Sequence, residues 1–407
     1  MRSERKQVFI RPWFWLGAAF LVFLFFLLPL TRNYPFYIDE YVAFKQIQKL
    51  EHSPAELWAP DSKEKRIHPL YLLIFFLESR LWGPNPTGYF LVLFLFHFLN
   101  ACLVTRLARA LGLDETAGTV AGLLFLFTSA HYQVMVNLSS TTRVVCLFVF
   151  LLALWAWLNF LKNRRAGTYL GVIFLQTLAL FSHEDAIVFP AVAALFARSL
   201  VLALPLFVTQ GAVSLFLLRF FIVSPHLANR FSLSTLALAP KIMSFVELLF
   251  RPLSVPEKNF SPAPFLRLIP AVIVVGGALI FFLQKGRLGR FLKSFRLRVA
   301  GIGTGWMAIT VFPFIFQPLI FEHATRYLYF PMVGFCLIFG EAAAQFIETV
   351  KRETGGKGVF FCYAVFVLML GINLNATAYH YGRYVRFAEE HPGHGFREEI
   401  KAFFDKE

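Results

Sequence analysis

The sequence predicts an all-α protein that crosses a membrane about eleven times. Of its 407 residues, 57% are hydrophobic and only 15% are charged, and the mean hydropathy is +0.62. A soluble protein of this length needs more charge to cover its surface, so the apolar excess must face lipid. The apolar residues fall in separate runs, and the basic residues cluster in the short loops between alternate runs, as cytoplasmic loops do.

The first run, at 13–30, follows Arg2, Arg5, Lys6 and Arg11. No small-residue cleavage site comes after it, which favours a retained anchor over a cleaved signal peptide. The other runs lie at 88–105, 116–130, 144–161, 168–181, 186–197, 199–223, 268–283, 299–316, 327–346 and 358–375. Since a straight span needs about 20 residues, 168–197 forms either two full spans or a re-entrant pair. Both alternatives leave the topology of the other runs unchanged.

The basic loops place the N-terminus in the cytoplasm, and the densest of them is 284–298. The same distribution explains the net charge of +15, so nucleic acid is excluded as a partner. We divide the chain into a transmembrane domain at 1–376 and a short outer tail at 377–407. Within the domain, this orientation leaves larger outer segments at 31–87, 223–267 and 317–327.

Two stretches of the outer segments are apolar but too short to span. The decapeptide 68–77 in the first outer loop and the segment 242–250 in the second are expected to lie in the interface, or to dip into it, as short helices. The four cysteines lie inside apolar runs, so none is predicted as a zinc ligand or a disulfide partner.

Ionisable groups at the apolar boundary are costly unless they are paired or functional, so they mark candidate sites. On the predicted outer side these groups are Asp39, Glu40, Arg66, His68, His131, Arg143, His183, Glu184, Asp185, Glu322, His323 and Arg326. Taken singly, the acidic pair is compatible with a solvated helix start, the histidines with turn caps, and Arg326 with a snorkelling side chain. Taken together, carboxylates from one set of loops and cations from others are expected to meet at one membrane depth, as an active site requires.

Several motifs in this set resemble those of a known family. They are Tyr37-Ile38-Asp39-Glu40-Tyr41; His68-Pro69-Leu70 through Leu81-Trp82-Gly83 and Pro86-Thr87-Gly88-Tyr89, ending in His97; His131 through Arg143; Ser182-His183-Glu184-Asp185; and Arg326-Tyr327-Leu328-Tyr329-Phe330-Pro331 with Val333-Gly334-Phe335. The chain resembles the GT-C superfamily of polytopic glycosyltransferases, which take sugars from polyprenyl-phosphate carriers. It is most similar to the membrane parts of O-mannosyltransferases that carry tetratricopeptide repeats.

The chain also departs from that family. His68 stands where the family has Arg, His183 stands where it has Lys, and Thr141-Thr142-Arg143 replaces a Gly-Arg-Thr-Asp pattern. No tetratricopeptide repeat follows the last run. These departures leave the superfamily unchanged but make the sugar and the acceptor open questions.

The resemblance implies an inverting hexosyl or pentosyl transferase with a polyprenyl-phosphate-linked sugar as donor. A lipid phosphate is already a good leaving group, so the reaction needs a base for the acceptor hydroxyl and cations for the phosphate. We expect Asp39 to be the base, with Glu40 tuning it, contacting the acceptor or helping to hold a divalent ion. We expect Arg326 to bind the donor phosphate. Weaker phosphate candidates are Arg143, His323 and His131, and further site candidates are Arg66, His68, His183 and Glu184.

These residues leave several features open. The acceptor is a protein, a lipid or a polysaccharide, and no cofactor is certain beyond a possible divalent metal ion, held by Asp39 and Glu40 if at all. The expected location is a multi-pass integral membrane protein (plasma or inner membrane if bacterial) with an extracytoplasmic active site. Alternative functions are a transporter or flippase of lipid-linked glycans, which typically shows paired repeats and broken helices, and a polymerase or ligase of such glycans.

Overall fold

The computed structural model of the protein describes residues 12–59, 68–197, 199–221, 295–315, 325–390 and 395–404. Every regular element in these ranges is helical, which confirms the all-α prediction. The α-helices are α1 Pro12–Leu27, α2 Ile38–His52, α3 Pro69–Trp82, α4 Pro86–Ala110, α5 Glu115–Phe127, α6 Tyr132–Val136, α7 Thr141–Asn163, α8 Ala166–Ser182, α9 Phe189–Ala197, α10 Leu200–Phe221, α11 Leu297–Ile315, α12 Pro331–Thr354, α13 Gly356–Glu390 and α14 Arg397–Phe404.

Eight helical segments in these ranges are long and apolar enough to cross a membrane, which agrees with a polytopic protein. They are Pro12–Asn33, Pro86–Ala110, Glu115–Val136, Leu138–Asn163, Leu200–Leu217, Leu297–Phe314, Pro331–Thr354 and Gly356–Phe387. Three other predictions, the run 268–283, the segment 242–250 and the outer segment 223–267, lie outside the described residues. The basic loop 284–298 is described only from residue 295.

The stretch 168–197 contains one nearly full-length helix and one short helix. α8 has 17 residues and α9 has only nine. At 1.5 Å per residue, α9 is about 14 Å long, less than half the thickness of the hydrocarbon core. The two helices therefore do not form two full spans.

Local sequence explains where the helices begin and how closely they pack. The side chain of Asn85 accepts a hydrogen bond from the amide of Thr87 at the start of α4, and the side chain of Asp114 caps α5 in the same way. α11 and α12 approach each other so closely that a Cβ atom at Gly334 would collide with the carbonyl oxygen of Gly303. Small residues allow such backbone contact between helices. Gly334 is therefore required for packing.

The first predicted outer loop folds into helices that pack on the bundle. α3 is a 14-residue helix, too short to span, as expected for the stretch 68–77. Its Leu72 and Phe75 are buried, whereas Leu73, Leu77 and Leu81 are exposed at a spacing of four residues. This places an apolar stripe on the free side of α3, as an interfacial helix has.

The last apolar helix is longer than the run at 358–375 predicts, because α13 continues to Glu390. No proline interrupts residues 376–390, so nothing ends the helix where the apolar run ends. Beyond it, the tail returns to the first loop. The amide of Phe396 donates to the carbonyl oxygens of Pro35 and Phe36, 3.1 and 2.9 Å away. The ring of Phe396 stacks on Tyr41.

Candidate active site

The side chain of Glu40 connects the first outer loop to the turn before α7 through hydrogen bonds. It lies in the first turn of α2 and is fully buried. One carboxylate oxygen accepts a hydrogen bond from the amide of Tyr37 at 2.8 Å. The other accepts from the amide of Ser139 at 2.8 Å and from the Tyr34 hydroxyl at 3.3 Å. These bonds hold the start of α2, and with it the neighbouring Asp39, against the end of the bundle where α7 begins.

Burial also changes the acidity of Glu40. Loss of hydration, with a smaller contribution from the charge of Asp39, raises the pKa of Glu40 to about 7, although the amides of Tyr37 and Ser139 act in the opposite direction. Glu40 therefore changes its protonation near neutral pH. Asp39 is half-buried beside it, so the two acidic neighbours have different environments.

Arg143 lies in the first turn of α7 and is paired with Asp185. Its Nε atom is 2.9 Å from an Asp185 oxygen, and the two side chains are only 8% and 4% exposed. The other oxygen of Asp185 is 3.1 Å from Nδ1 of His183. Burial alone raises the pKa of the Asp185 carboxyl, but Arg143 and His183 outweigh burial and lower it. Asp185 therefore stays ionised and balances the charge of Arg143.

His68 and His183 lie face to face next to this pair. Their ring centroids are 5.5 Å apart and their planes differ by 6°. One oxygen of Glu184 is 3.6 Å from His183 and 3.8 Å from His68. The Glu184 side chain is 41% exposed, but the oxygen that faces the two histidines is buried.

Arg326 and Arg143 meet at the ring of Tyr327. Their guanidinium carbons are 5.2 and 4.7 Å from the ring centroid, so the two cations are less than 10 Å apart. The Arg326 side chain donates to the Tyr327 hydroxyl at 3.3 Å. Its Nε atom is buried without a hydrogen-bond partner among the described residues.

The acidic pair and Arg326 also share a neighbour. Tyr384, near the end of α13, lies within electrostatic reach of Asp39, Glu40 and Arg326. The hydroxyl of Tyr37 donates to the Tyr384 carbonyl, and the two rings are 4.4 Å apart. The structure thus brings Asp39, Glu40, Arg143 and Arg326 to one end of the bundle.

The remaining predicted site residues lie in different parts of the protein. His68, His183 and Glu184 form the cluster beside Arg143. His131 is fully buried, and its ring contacts His97, Phe125 and Tyr329 in the interior. Arg66 and His323 lie outside the described residues. Within the described ranges, no three side chains of His, Cys, Asp or Glu form a group that could hold a metal ion.

Three contacts of this site have no clear signal in the sequence. Ser139 acts through its backbone amide, so its side-chain type carries no information. Tyr384 is one of 13 tyrosines, and nothing in its local pattern distinguishes it. Tyr327 lies in the motif that begins at Arg326, but that motif does not indicate that its ring contacts both guanidiniums.

The fold and these side chains define a class of protein: a multi-span α-helical membrane protein whose carboxylates and guanidiniums converge at one end of the bundle. Residues 67–228 match the family described as dolichyl-phosphate-mannose-protein mannosyltransferase. The chain is also similar to the protein O-mannosyl-transferase Tmtc1 of Drosophila melanogaster, with 31% identity over 119 residues. These matches confirm the resemblance to GT-C membrane glycosyltransferases, and in particular to the membrane parts of O-mannosyltransferases.

The extent of the matches is limited. The similarity to Tmtc1 covers 29% of this chain and 14% of the length of that relative. The family match includes His68, Arg143 and Asp185 but ends before Arg326 and begins after the acidic pair.

Proposed function

We propose that this protein transfers a hexose from a polyprenyl-phosphate donor to an acceptor hydroxyl at the membrane surface predicted to be extracytoplasmic. The family match supports mannose as the sugar and a protein hydroxyl as the acceptor. The observation that carries the proposal is the convergence of an acidic pair with two guanidiniums at one end of the span bundle.

In the proposed reaction, the carboxylate of Asp39 takes the proton of the acceptor hydroxyl. The acceptor oxygen attacks the anomeric carbon, and the bond from that carbon to the phosphate oxygen breaks. The electron pair of this bond leaves with the polyprenyl phosphate. Because the acceptor attacks the face opposite the phosphate, the anomeric configuration inverts. Asp39 suits the role of base because it is half-buried and lies next to the fixed Glu40.

Arg326 is the better of the two guanidiniums for the donor phosphate. Asp185 already balances the charge of Arg143, whereas the Nε atom of Arg326 has no hydrogen-bond partner among the described residues. A guanidinium with an available donor binds phosphate through charge-assisted hydrogen bonds. Arg143 contacts the same Tyr327 ring, and its pairing with Asp185 makes it the weaker candidate for the phosphate.

The test uses purified protein in detergent, where transport between compartments is impossible. Transfer of labelled mannose from dolichyl-phosphate-mannose to a Ser/Thr-rich peptide is measured. Asp39→Asn should reduce turnover by about 10²–10⁴-fold with donor binding largely kept, because general-base catalysis is typically worth that much. Arg326→Ala should weaken donor binding, because it removes a charge-assisted contact to the phosphate.

Two other variants serve as matched controls. Glu51→Gln changes another carboxylate on α2, and Arg80→Ala removes a guanidinium that pairs with Glu51 on the surface. Both should leave transfer within about threefold of the wild type. Wild-type transfer by Asp39→Asn would remove Asp39 as the base. Absence of transfer by the wild type across several donors and acceptors would favour a transporter of lipid-linked glycans instead.

A further inference from the structure

Within the described residues, the segment that carries Arg326 is a short turn. Thr325–Leu328 is a four-residue 3₁₀ turn that precedes α12. The amide of Arg326 donates to the side chain of Gln133 at 3.2 Å. A turn of this length cannot hold a long side chain in place by itself, so the position of Arg326 depends on what fixes the turn.

Tyr329, three residues after Arg326, reaches into the bundle and bonds to α4. Its hydroxyl is 2.9 Å from Nδ1 of His97 and 3.0 Å from the side-chain nitrogen of Asn100. All three side chains are fully buried. The amide of Asn100 also donates to the carbonyl oxygen of Val144 in α7 at 2.9 Å. The hydroxyl of Tyr329 thus connects the Arg326 segment to two spans.

The partners determine the direction of each hydrogen bond. Nε2 of His97 is 3.0 Å from the carbonyl oxygen of Leu126. A carbonyl oxygen only accepts, so Nε2 carries the proton and Nδ1 accepts from the Tyr329 hydroxyl. The oxygen of that hydroxyl in turn accepts from Asn100. With a neutral imidazole, each of these donors has an acceptor, as buried polar groups require.

A second bond holds the same segment from the other side. The indole nitrogen of Trp306 in α11 donates to the carbonyl oxygen of Phe330 at 2.7 Å, and Trp306 is fully buried. His131 packs edge-on against the Tyr329 ring, with a centroid distance of 4.9 Å. We call Tyr329, His97, Asn100 and Trp306 the Tyr329 anchor.

We propose that Tyr329 is a positioning residue that sets the place of Arg326 for the donor phosphate, with His97, Asn100 and Trp306 as its fixed partners. The inference rests on the proposed function, since Arg326 is the group that it positions. Tyr329 itself contacts neither donor nor acceptor and acts only through Arg326. A displacement of about 1 Å in a binding group is enough to change turnover or affinity by up to about 10²-fold.

The test compares Tyr329→Phe with Tyr89→Phe. Tyr89 is a matched control because it is also buried and its hydroxyl also donates one hydrogen bond, to the carbonyl oxygen of Gly83 at 2.8 Å. Two measurements are made: steady-state kinetics with dolichyl-phosphate-mannose, which give KM and kcat, and hydrogen exchange of the amides at 325–330. Tyr329→Phe should raise the donor KM about tenfold or more and leave kcat within about threefold. It should also speed exchange at 325–330, whereas Tyr89→Phe should change neither quantity.

A double variant separates positioning from general destabilisation. If Tyr329 acts through His97, then Tyr329→Phe combined with His97→Gln should raise the donor KM by much less than the product of the single effects. A donor KM unchanged in Tyr329→Phe, or raised equally in Tyr89→Phe, would overturn the proposal. If the wild type transfers no sugar, the proposed function fails. The anchor is then judged on exchange alone: faster exchange only in Tyr329→Phe supports it, and equal exchange in both variants overturns it.

Discussion

The buried pair of Arg143 and Asp185 allows a quantitative prediction. Both side chains are less than a tenth exposed and their charged atoms are 2.9 Å apart. Asp185→Asn keeps a hydrogen-bond acceptor for Arg143 but removes the negative charge, which leaves a guanidinium buried without compensation. Removing one partner of such a pair lowers the free energy of unfolding by about 3–5 kcal/mol. At an unfolding entropy of about 2.1 cal/mol/K per residue, the expected fall in Tm is about 4–6 °C.

The assay is thermal unfolding of purified protein in detergent at pH 7. The pKa of Asp185 is lowered in the folded protein. Its contribution to stability is therefore fully present above the ordinary carboxyl range and is lost only as the pH falls through the lowered value. Replacing both partners, by Arg143→Met with Asp185→Leu, should recover most of the lost stability, because no charge is then left buried.

The exposed pair of Arg80 and Glu51 gives the control. Breaking it with Glu51→Gln should change stability by less than about 1 kcal/mol. If Asp185→Asn destabilises the protein no more than Glu51→Gln does, then Arg143 is solvated in solution. The conclusion that Asp185 balances its charge would then be wrong.

Two other properties follow from the same structure. Because burial raises the pKa of Glu40 to about 7, the folded state holds a proton that the unfolded chain has already released above about pH 4.3. Stability should therefore fall as the pH rises towards 7, with a slope approaching about 1.4 kcal/mol per pH unit, and Glu40→Gln should flatten this profile in thermal unfolding from pH 5 to 8. An identical profile in the variant would contradict the assignment. Reporter fusions at residues 165 and 290 should give a cytoplasmic signal and a fusion at 400 an extracytoplasmic one, because basic loops stay inside; a cytoplasmic signal at 400 would refute the predicted topology.

The positions of the spans could be predicted from the sequence because hydropathy alone determines which segments enter a bilayer. The placement of the acidic pair and the arginines near one end of the bundle follows from the same alternation. The pairing of side chains could not be predicted in this way. α7 is apolar on all sides, so its sequence does not indicate which face Arg143 presents or that Asp185 lies opposite it.

Contacts between segments that are far apart in the chain could not be predicted from the sequence either. The bond from Ser139 to Glu40 involves a backbone amide, which every residue except proline has. The position of Arg326 beside Tyr327 and Arg143 depends on how α7, α11 and α12 rotate about their axes. That rotation is determined by packing between helices, such as the backbone contact at Gly303 and Gly334, and no local pattern encodes it.

The contact of Phe396 with Pro35 and Phe36 has a consequence for biogenesis. The loop that bears the acidic pair emerges from the ribosome early, whereas its partner in the tail is made near the end of translation. At about 5–20 residues per second, the two are synthesised roughly 20–70 s apart. During that time the loop lacks the aromatic contact with Phe396 and the two backbone hydrogen bonds. The helix α2 therefore acquires its final support only after the last span has been inserted, so that this end of the bundle is completed last.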